Sequence, residues 1–517
     1  MADAMARSSA APAQAPLPRR QVLIVFSGLM LGMLLAALDQ TIVATALPTI
    51  VGDLGGLEHL SWVITAYLLT STTSTPIYGK LSDLYGRRTM FQIAIVLFVV
   101  GSMLAGLSQS MVQLIAFRGL QGLGAGGLIS MAQAIIGDIL PPRERGRYQG
   151  YIGSVFALAS VAGPLLGGVF TDNLTWRWVF YINLPLGGLA LLNTWLALRL
   201  PYRPTRRPID YWGSALMVGG VSCLLLVASW GGTEYAWSSP MIIGLGLAGV
   251  SLLALFVWQE RRAPEPLLPL RLFRVRSFGI GSFIMASMGM AMFGALAFVP
   301  LYLQVVKGAS ATSSGLRLTP LMLSVVISSV LVGRFISVTG RYRIFPIAGT
   351  AVLTGALLLL ARLDVDTPLW EVSVYMVVLG LGLGMVLQVI VLATQNEVPF
   401  RDLGTATSGV SFFRSMGGAF GVAVFGSILN NRLDYYLPRL VPRDAMAGLD
   451  PGLLTSSPEG LRALPPPVFH GVVEAFARSL HWVFLLAAPI ALTAFLASQM
   501  LREAPLRESA HITFGEE

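Results

Sequence analysis

Asp39 is the only acidic residue placed far from the ends of the apolar runs that dominate this sequence, and Arg118 and Arg414 are the deep cations. A charge at such a depth costs about 2.5 to 3.5 kcal/mol on insertion scales, so residues of this kind usually face an aqueous cavity and carry function. The stripe Gly32, Ala36, Asp39, Val43, Ala46 is narrow and mostly small, which predicts room for water or substrate beside the carboxylate. Rise per residue along a helix puts Arg118 and Asp39 at similar depth, each about 9 Å from the same end of its run. Burial favours the protonated acid and a nearby guanidinium favours the carboxylate, so a site balanced between the two can load and release a proton. The alternative is a structural ion pair without proton traffic. Gln121 shares the Arg118 face at i+3 and extends the polar set. Gln40, Tyr67, Asn183, Gln395 and Asn396 are further polar groups in apolar runs, and cavity lining and interhelical hydrogen bonding account for them equally well. Arg414 has no deep acid in its half of the chain, which leaves snorkelling, a carbonyl contact or the shaping of an anionic region of the cavity open.

The remaining inventory is sparse. His59, His470, His481 and His511 lie at the edges of the apolar runs or beyond them, and the single cysteine, Cys223, lies inside one. An intramembrane hydrolase needs a deep acid pair, a histidine-bound metal or a nucleophile with its base, and none is present in the sequence. No enzyme activity, metal or cofactor is expected.

These residues must be positioned by membrane helices. With 55% hydrophobic and 12% charged residues and a mean hydropathy of +0.71, the chain cannot present a water-soluble surface. Lipid offers no partners to backbone N–H and C=O groups, so each crossing needs about 20 mainly apolar residues in a helix. Fourteen segments qualify: 21–45, 60–78, 89–108, 112–135, 148–170, 178–198, 212–230, 240–258, 277–304, 316–337, 344–362, 370–393, 404–430 and 476–500. Most of the 35 Lys and Arg residues fall in the N-terminal tail and the even-numbered loops, which predicts both termini in the cytoplasm and explains the net charge of +9 without nucleic acid. Residues 1–20 read as a disordered cytoplasmic tail followed by an uncleaved signal anchor, and 501–517 as a second tail. The proline-rich loop 431–475 is placed outside, with Val468, Val472, Val473 and Phe476 at helical spacing suited to the membrane surface.

An internal repeat sets the architecture. Gly79-Lys80, five residues, then Gly86-Arg87-Arg88 recurs at one offset as Gly333-Arg334, five residues, then Gly340-Arg341-Tyr342-Arg343. Small residues at Gly153, Ala157, Ser160, Pro164 and Gly167 recur with the same steps at Gly404, Ser408, Ser411, Ser415 and Gly418. The prediction is an all-α membrane protein of two pseudo-symmetric six-helix bundles, 21–200 and 263–500, with two inserted helices in 201–262. The inserted pair carries no deep ionisable residue and is expected to serve as scaffold or lipid contact.

The stretch Gly79-Lys80-Leu81-Ser82-Asp83-Leu84-Tyr85-Gly86-Arg87-Arg88 resembles the loop signature of the major facilitator superfamily. Leu38-Asp39-Gln40-Thr41 in the first segment and Arg118-Gly119-Leu120-Gln121-Gly122 in the fourth are similar in kind. Gly163-Pro164-Leu165-Leu166-Gly167-Gly168 resembles the antiporter motif of its exporters, and with fourteen segments the likeness is to the drug:proton antiporter branch. The resemblance implies efflux of hydrophobic or monocationic amphipathic compounds in exchange for protons, by a monomer in the cell inner membrane whose partners are substrates, protons and lipids. Export of one endogenous lipid or secondary metabolite, or solute import, uses the same framework. Gly79, Asp83, Gly86, Arg87 and Arg88 read as a gate: Asp83 could cap a helix N-terminus, or pair with an arginine, of the opposite half when the inner side is closed. Its counterpart in the second copy is Ser337, so a symmetric pair of ionic latches is not expected. Gly163 and Pro164 should bend the fifth helix.

Overall fold

The computed structural model describes residues 19–55, 60–198, 209–232, 234–441 and 465–507. Most of the N-terminal tail, the bulk of the loop expected outside and the end of the C-terminal tail lie beyond the described residues. The long helices are α1 (Arg19–Leu54), α2 (Leu60–Tyr85), α3 (Arg87–Gly106), α4 (Met111–Ile139), α5 (Pro142–Asn173), α6 (Trp178–Ala197, two pieces meeting at Ile182), α7 (Tyr211–Trp230), α8 (Pro240–Glu260), α9 (Arg276–Leu301), α10 (Thr319–Thr339), α11 (Ile344–Leu360), α12 (Leu369–Glu397), α13 (Leu403–Leu440) and α14 (Pro466–Gln499).

Among the described residues twelve helices are long and apolar enough to cross a membrane. The other two, α2 and α11, miss that mark for different reasons. α11 has 17 residues. α2 is long but carries a run of hydroxyls from Thr70 to Thr75, and these are used inside the protein: Ser74 Oγ donates to the Leu123 carbonyl at 3.2 Å and Thr75 Oγ1 to that of Gly126 at 3.0 Å. Gly122 and Gly126 permit that approach, since a Cβ at Gly122 would stand 2.5 Å from the Tyr67 carbonyl.

Packing obeys the sequence repeat. α1 packs on α5 as α9 packs on α13, α2 on α4 as α10 on α12, and α3 on α6 as α11 on α14. The contacts between the halves exchange in the same way, α2 against α13 and α10 against α5. The two small-residue stripes lie on these seams: Gly153 faces Ser329 of α10, and Gly404 and Ser408 face the end of α2. Gly86 and Gly340, equivalent in the repeat, both adopt positive φ, 93° and 74°, and so end or begin a helix where an L side chain would be strained.

Two expectations change. α13 runs ten residues past its predicted end, and α14 begins at Pro466. Val468, Val472, Val473 and Phe476 are buried in the core of the second half and do not lie on a surface. Their spacing marks a helix face, and that face packs on protein. α5 remains one helix through Gly163 and Pro164, where Gly163 lies against Thr41 of α1 and Pro164 against Gly315.

Candidate functional site

Three regions of the bundle bear on function. The first is built inside the first half by α1, α4 and α6. Asp39 is fully buried, with Oδ2 receiving Arg118 Nη1 at 2.5 Å and Oδ1 receiving Gln121 Nε2 at 2.8 Å and Asn183 Nδ2 at 3.2 Å. Arg118 Nη1 also donates to Gln121 Oε1 at 2.8 Å, and its guanidinium stands 4.2 Å over the Tyr67 ring. Asn183 donates to Ser102 Oγ at 3.0 Å. Every donor converges on one carboxylate, the arrangement that makes a desolvated ion pair tolerable.

The second region is a cleft of about 520 Å³ between the halves, open at the end where α1 finishes and α2 begins. Its walls include Leu47, Ile64, Leu68, Phe293, Phe298 and Val422, and no carboxylate is among its lining residues. Asp39 does not reach it; the next residue, Gln40, does. Of the expected water-facing stripe on α1, Gly32 packs on Phe91 and Asp39 on Arg118, while Ala36 borders a small cavity beneath the cleft. Of the seven polar residues considered for cavity lining, Gln40 and Arg414 line it or its floor. Tyr67, Gln121 and Asn183 complete the Asp39 network, because their helices turn those faces inward. The inserted helix α7 takes part, contrary to a purely scaffolding role: Leu225, Ala228 and Gly231 line the cleft, and Thr65 Oγ1 and Ser229 Oγ share a 2.9 Å hydrogen bond. α8 stays at the periphery, mostly exposed.

The third region seals the opposite end of the same gap. Asp83 Oδ2 accepts the backbone N–H and the hydroxyl of Thr405, both at 2.9 Å, in the first turn of α13. Asp83 Oδ1 pairs with Arg87 Nη2 at 2.6 Å, and Arg87 Nε with Asp138 Oδ2 at 2.7 Å. The carboxylate therefore caps a helix of the other half, and its arginine comes from its own loop. At Gly79 a Cβ would overlap the Ser408 side chain and come within 2.9 Å of the Gly404 carbonyl, so α2 and α13 touch backbone to backbone. Arg88 takes no part; it donates to the Trp195 carbonyl at 2.8 Å. Gln395 crosses the seam, donating to the Gln133 carbonyl at 3.1 Å and accepting from Arg145 at 3.3 Å. Asn396 holds the C-terminal segment, through the Pro505 carbonyl and the Arg507 N–H. Neither lines the cleft.

Asp138, Arg145, Gln133 and Thr405 were not legible as partners in the sequence. The two charges stand in the last turn of α4 and the first of α5, where such residues also serve topology. Replacing Asp83 by Asn removes the charge that faces the α13 N-terminus, worth about 1 to 2 kcal/mol of closure. Transport slowed several-fold with undiminished folded protein is the expected result, and wild-type turnover in a transport assay would count against a latch.

Comparison with known proteins adds to this geometry. Residues 29–422 match the Major Facilitator Superfamily. An uncharacterized MFS-type transporter of Mycobacterium tuberculosis is 44% identical over 485 residues, 94% of this chain and 70% of that protein. The multidrug transporter protein MdtP of Bacillus subtilis is 42% identical over 451 residues, 85% of this chain and 82% of its own length, and multidrug resistance protein 3 of the same species is 36% identical over 91% and 93%. The crystal structure of the human organic anion transporter MFSD10 (TETRAN) superposes with a TM-score of 0.58 over 92% of this chain and 100% of that one; at 16% identity the likeness is one of fold.

Proposed function

Since the chain belongs to the Major Facilitator Superfamily, beside relatives named as multidrug transporters, and is a multi-pass membrane transporter rather than an enzyme, we propose that it is a proton-coupled antiporter exporting hydrophobic or monocationic amphipathic compounds by alternating access. The observation that carries this reading is the asymmetry of the gap between the halves. It is an apolar cleft at one end and is sealed at the other by Asp83, Gly79 and Gln395. Repeat-related seams, α2 on α13 and α10 on α5, allow one half to rock against the other about a fixed centre.

We take all fourteen helices to cross the membrane, as two six-helix bundles with α7 and α8 inserted and both termini in the cytoplasm. On that orientation the sealed end is cytoplasmic and this conformation faces outward. The protein would act as a monomer in the cell inner membrane. Proton coupling is assigned to Asp39 and Arg118: the pair is shielded from the cleft here, so proton exchange requires α1 and α4 to part as the halves rock. Neutral hydrophobic compounds fit the cleft as it stands. A monocation would find its countercharge only when that movement exposes Asp39.

The test uses purified protein in liposomes with an imposed pH gradient and a panel of neutral and monocationic dyes. Uphill accumulation that collapses with a protonophore is expected. Equal dye movement with and without the gradient would refute proton coupling.

A further inference from the structure

Among the described residues four arginines are buried: Arg87, Arg118, Arg145 and Arg414. Three have partners. Arg87 meets Asp83 and Asp138, Arg118 meets Asp39, and Arg145 donates to the Leu140 carbonyl at 2.7 Å and to the Gly137 carbonyl. Arg414 is the exception. It is 9% exposed, its Nε has no hydrogen-bond partner, and among the described residues no carboxylate pairs with its guanidinium. Leaving a desolvated cation without a countercharge costs several kcal/mol, so a position that keeps one calls for a ligand that supplies the charge.

The surroundings say which ligand. Arg414 opens into a small polar cavity of about 40 Å³ with Gln40, Ser71, Thr75, Ser130 and Ser415 on its walls. Gln40, Ser71 and Ser415 also line the 520 Å³ cleft, so the small cavity is the floor of the large one. Several hydroxyl protons there are already committed: Ser71 donates to the Leu68 carbonyl at 3.1 Å, Thr75 to that of Gly126 at 3.0 Å and Ser130 to that of Gly126 at 2.9 Å. The donors not so committed are the guanidinium N–H groups and the Ser415 hydroxyl. Such a space holds about one water, which solvates but does not neutralise. A planar carboxylate matches the guanidinium fork and is small enough for the floor, and the apolar cleft above suits a hydrophobic body.

We propose that Arg414 anchors an anion subsite that takes the carboxylate of an amphipathic substrate whose apolar part lies in the cleft. The proposal rests on reading the cleft as the transport path, and it extends the substrate class to monoanionic aromatic and aliphatic carboxylates. At one proton per cycle, export of such an anion moves two charges in the direction an inside-negative potential favours, against one for a neutral compound.

The experiment is equilibrium binding to the full-length protein in nanodiscs, with 2-(1-naphthyl)acetate and its uncharged carboxamide as probes. Wild type should bind the acetate about tenfold more tightly than the amide, the usual order for one charge-assisted pair. Arg414→Gln should erase that preference while changing amide binding less than about twofold. Ser415→Asp, which supplies an internal carboxylate at the same floor, should erase it too and serves if the glutamine variant does not fold. Equal binding of both probes by wild type, or a preference that survives either substitution, overturns the subsite. Dye export by the same protein in liposomes reports separately on the transport reading. A protein that exports dye without acetate preference loses only the subsite, and one that prefers the acetate but moves nothing loses only the transport reading.

Discussion

Asp39→Asn is expected to reduce proton-driven accumulation to background while leaving exchange of neutral compounds down their own gradients within a few-fold of wild type. The carboxylate is the only one buried within the Arg118, Gln121 and Asn183 network, and a carboxamide there can carry no proton between the two sides. The substitution also has a structural cost, because it leaves Arg118 without its countercharge, and breaking one side of a buried pair costs about 3 to 5 kcal/mol. Asn Nδ2 would further face Gln121 Nε2 and Asn183 Nδ2 in one amide orientation and Arg118 Nη1 in the other, donor against donor. The double change Asp39→Asn with Arg118→Gln removes the stranded cation and separates the two effects: recovered folding without recovered coupling is the expected pattern. If one proton exchanges for one monocation, the cycle is electroneutral and a potassium diffusion potential leaves its rate unchanged. Export of a neutral compound moves one charge and gains about 2.3 kcal/mol per 100 mV. Uphill transport by Asp39→Asn under a pH gradient would place the coupling site elsewhere.

Gly79→Leu is expected to hold the sealed end open. α2 and α13 meet there through Gly79, Ser408 and the Gly404 carbonyl, and a Cβ alone already overlaps the serine. A leucine cannot be admitted without moving the helices towards the 8 to 10 Å separation of ordinary packing. That displacement also draws Thr405 away from Asp83, so the capping bonds at 2.9 Å are lost in the same step. Turnover should fall by about tenfold or more, since losing a state of the cycle outweighs any single contact. The direct readout is labelling of Ser411→Cys in a Cys223→Ala background. Ser411 lies behind the seal, bonded to Gln133 across the seam at 3.4 Å. An impermeant thiol reagent applied from the side of Asp83 should reach it in Gly79→Leu and not with Gly79 present. Equal protection in both, with normal turnover, would mean that the seal is not a gate.

The sequence by itself determined the class of this protein and displayed its internal repeat, because both are local properties of the chain. The length of an apolar run decides whether it suits a membrane, and the recurrence of Gly79 and Gly86 at Gly333 and Gly340 is visible without coordinates. The shared positive φ of Gly86 and Gly340 follows from residue type, glycine being the residue that takes it without strain. The pairing of Asp39 with Arg118 was within reach for the same reason: depth along a helix is a count of residues. Rotation about the helix is another matter. Each residue turns the face by about 100°, so packing alone decided that Gln40 looks into the cleft and Asp39 into the bundle. Packing likewise set Tyr67, Gln121 and Asn183 around the acid, placed Gln395 across the seam, brought α7 to the cleft and buried the face from Val468 to Phe476. The partners of Asp83 and Arg87, Thr405 and Asp138, stand far away in sequence and belong to helices that meet only in one arrangement of the halves. Which end of the gap is open is a property of that arrangement: a sequence able to adopt both must favour neither by more than the few kcal/mol that transport can supply.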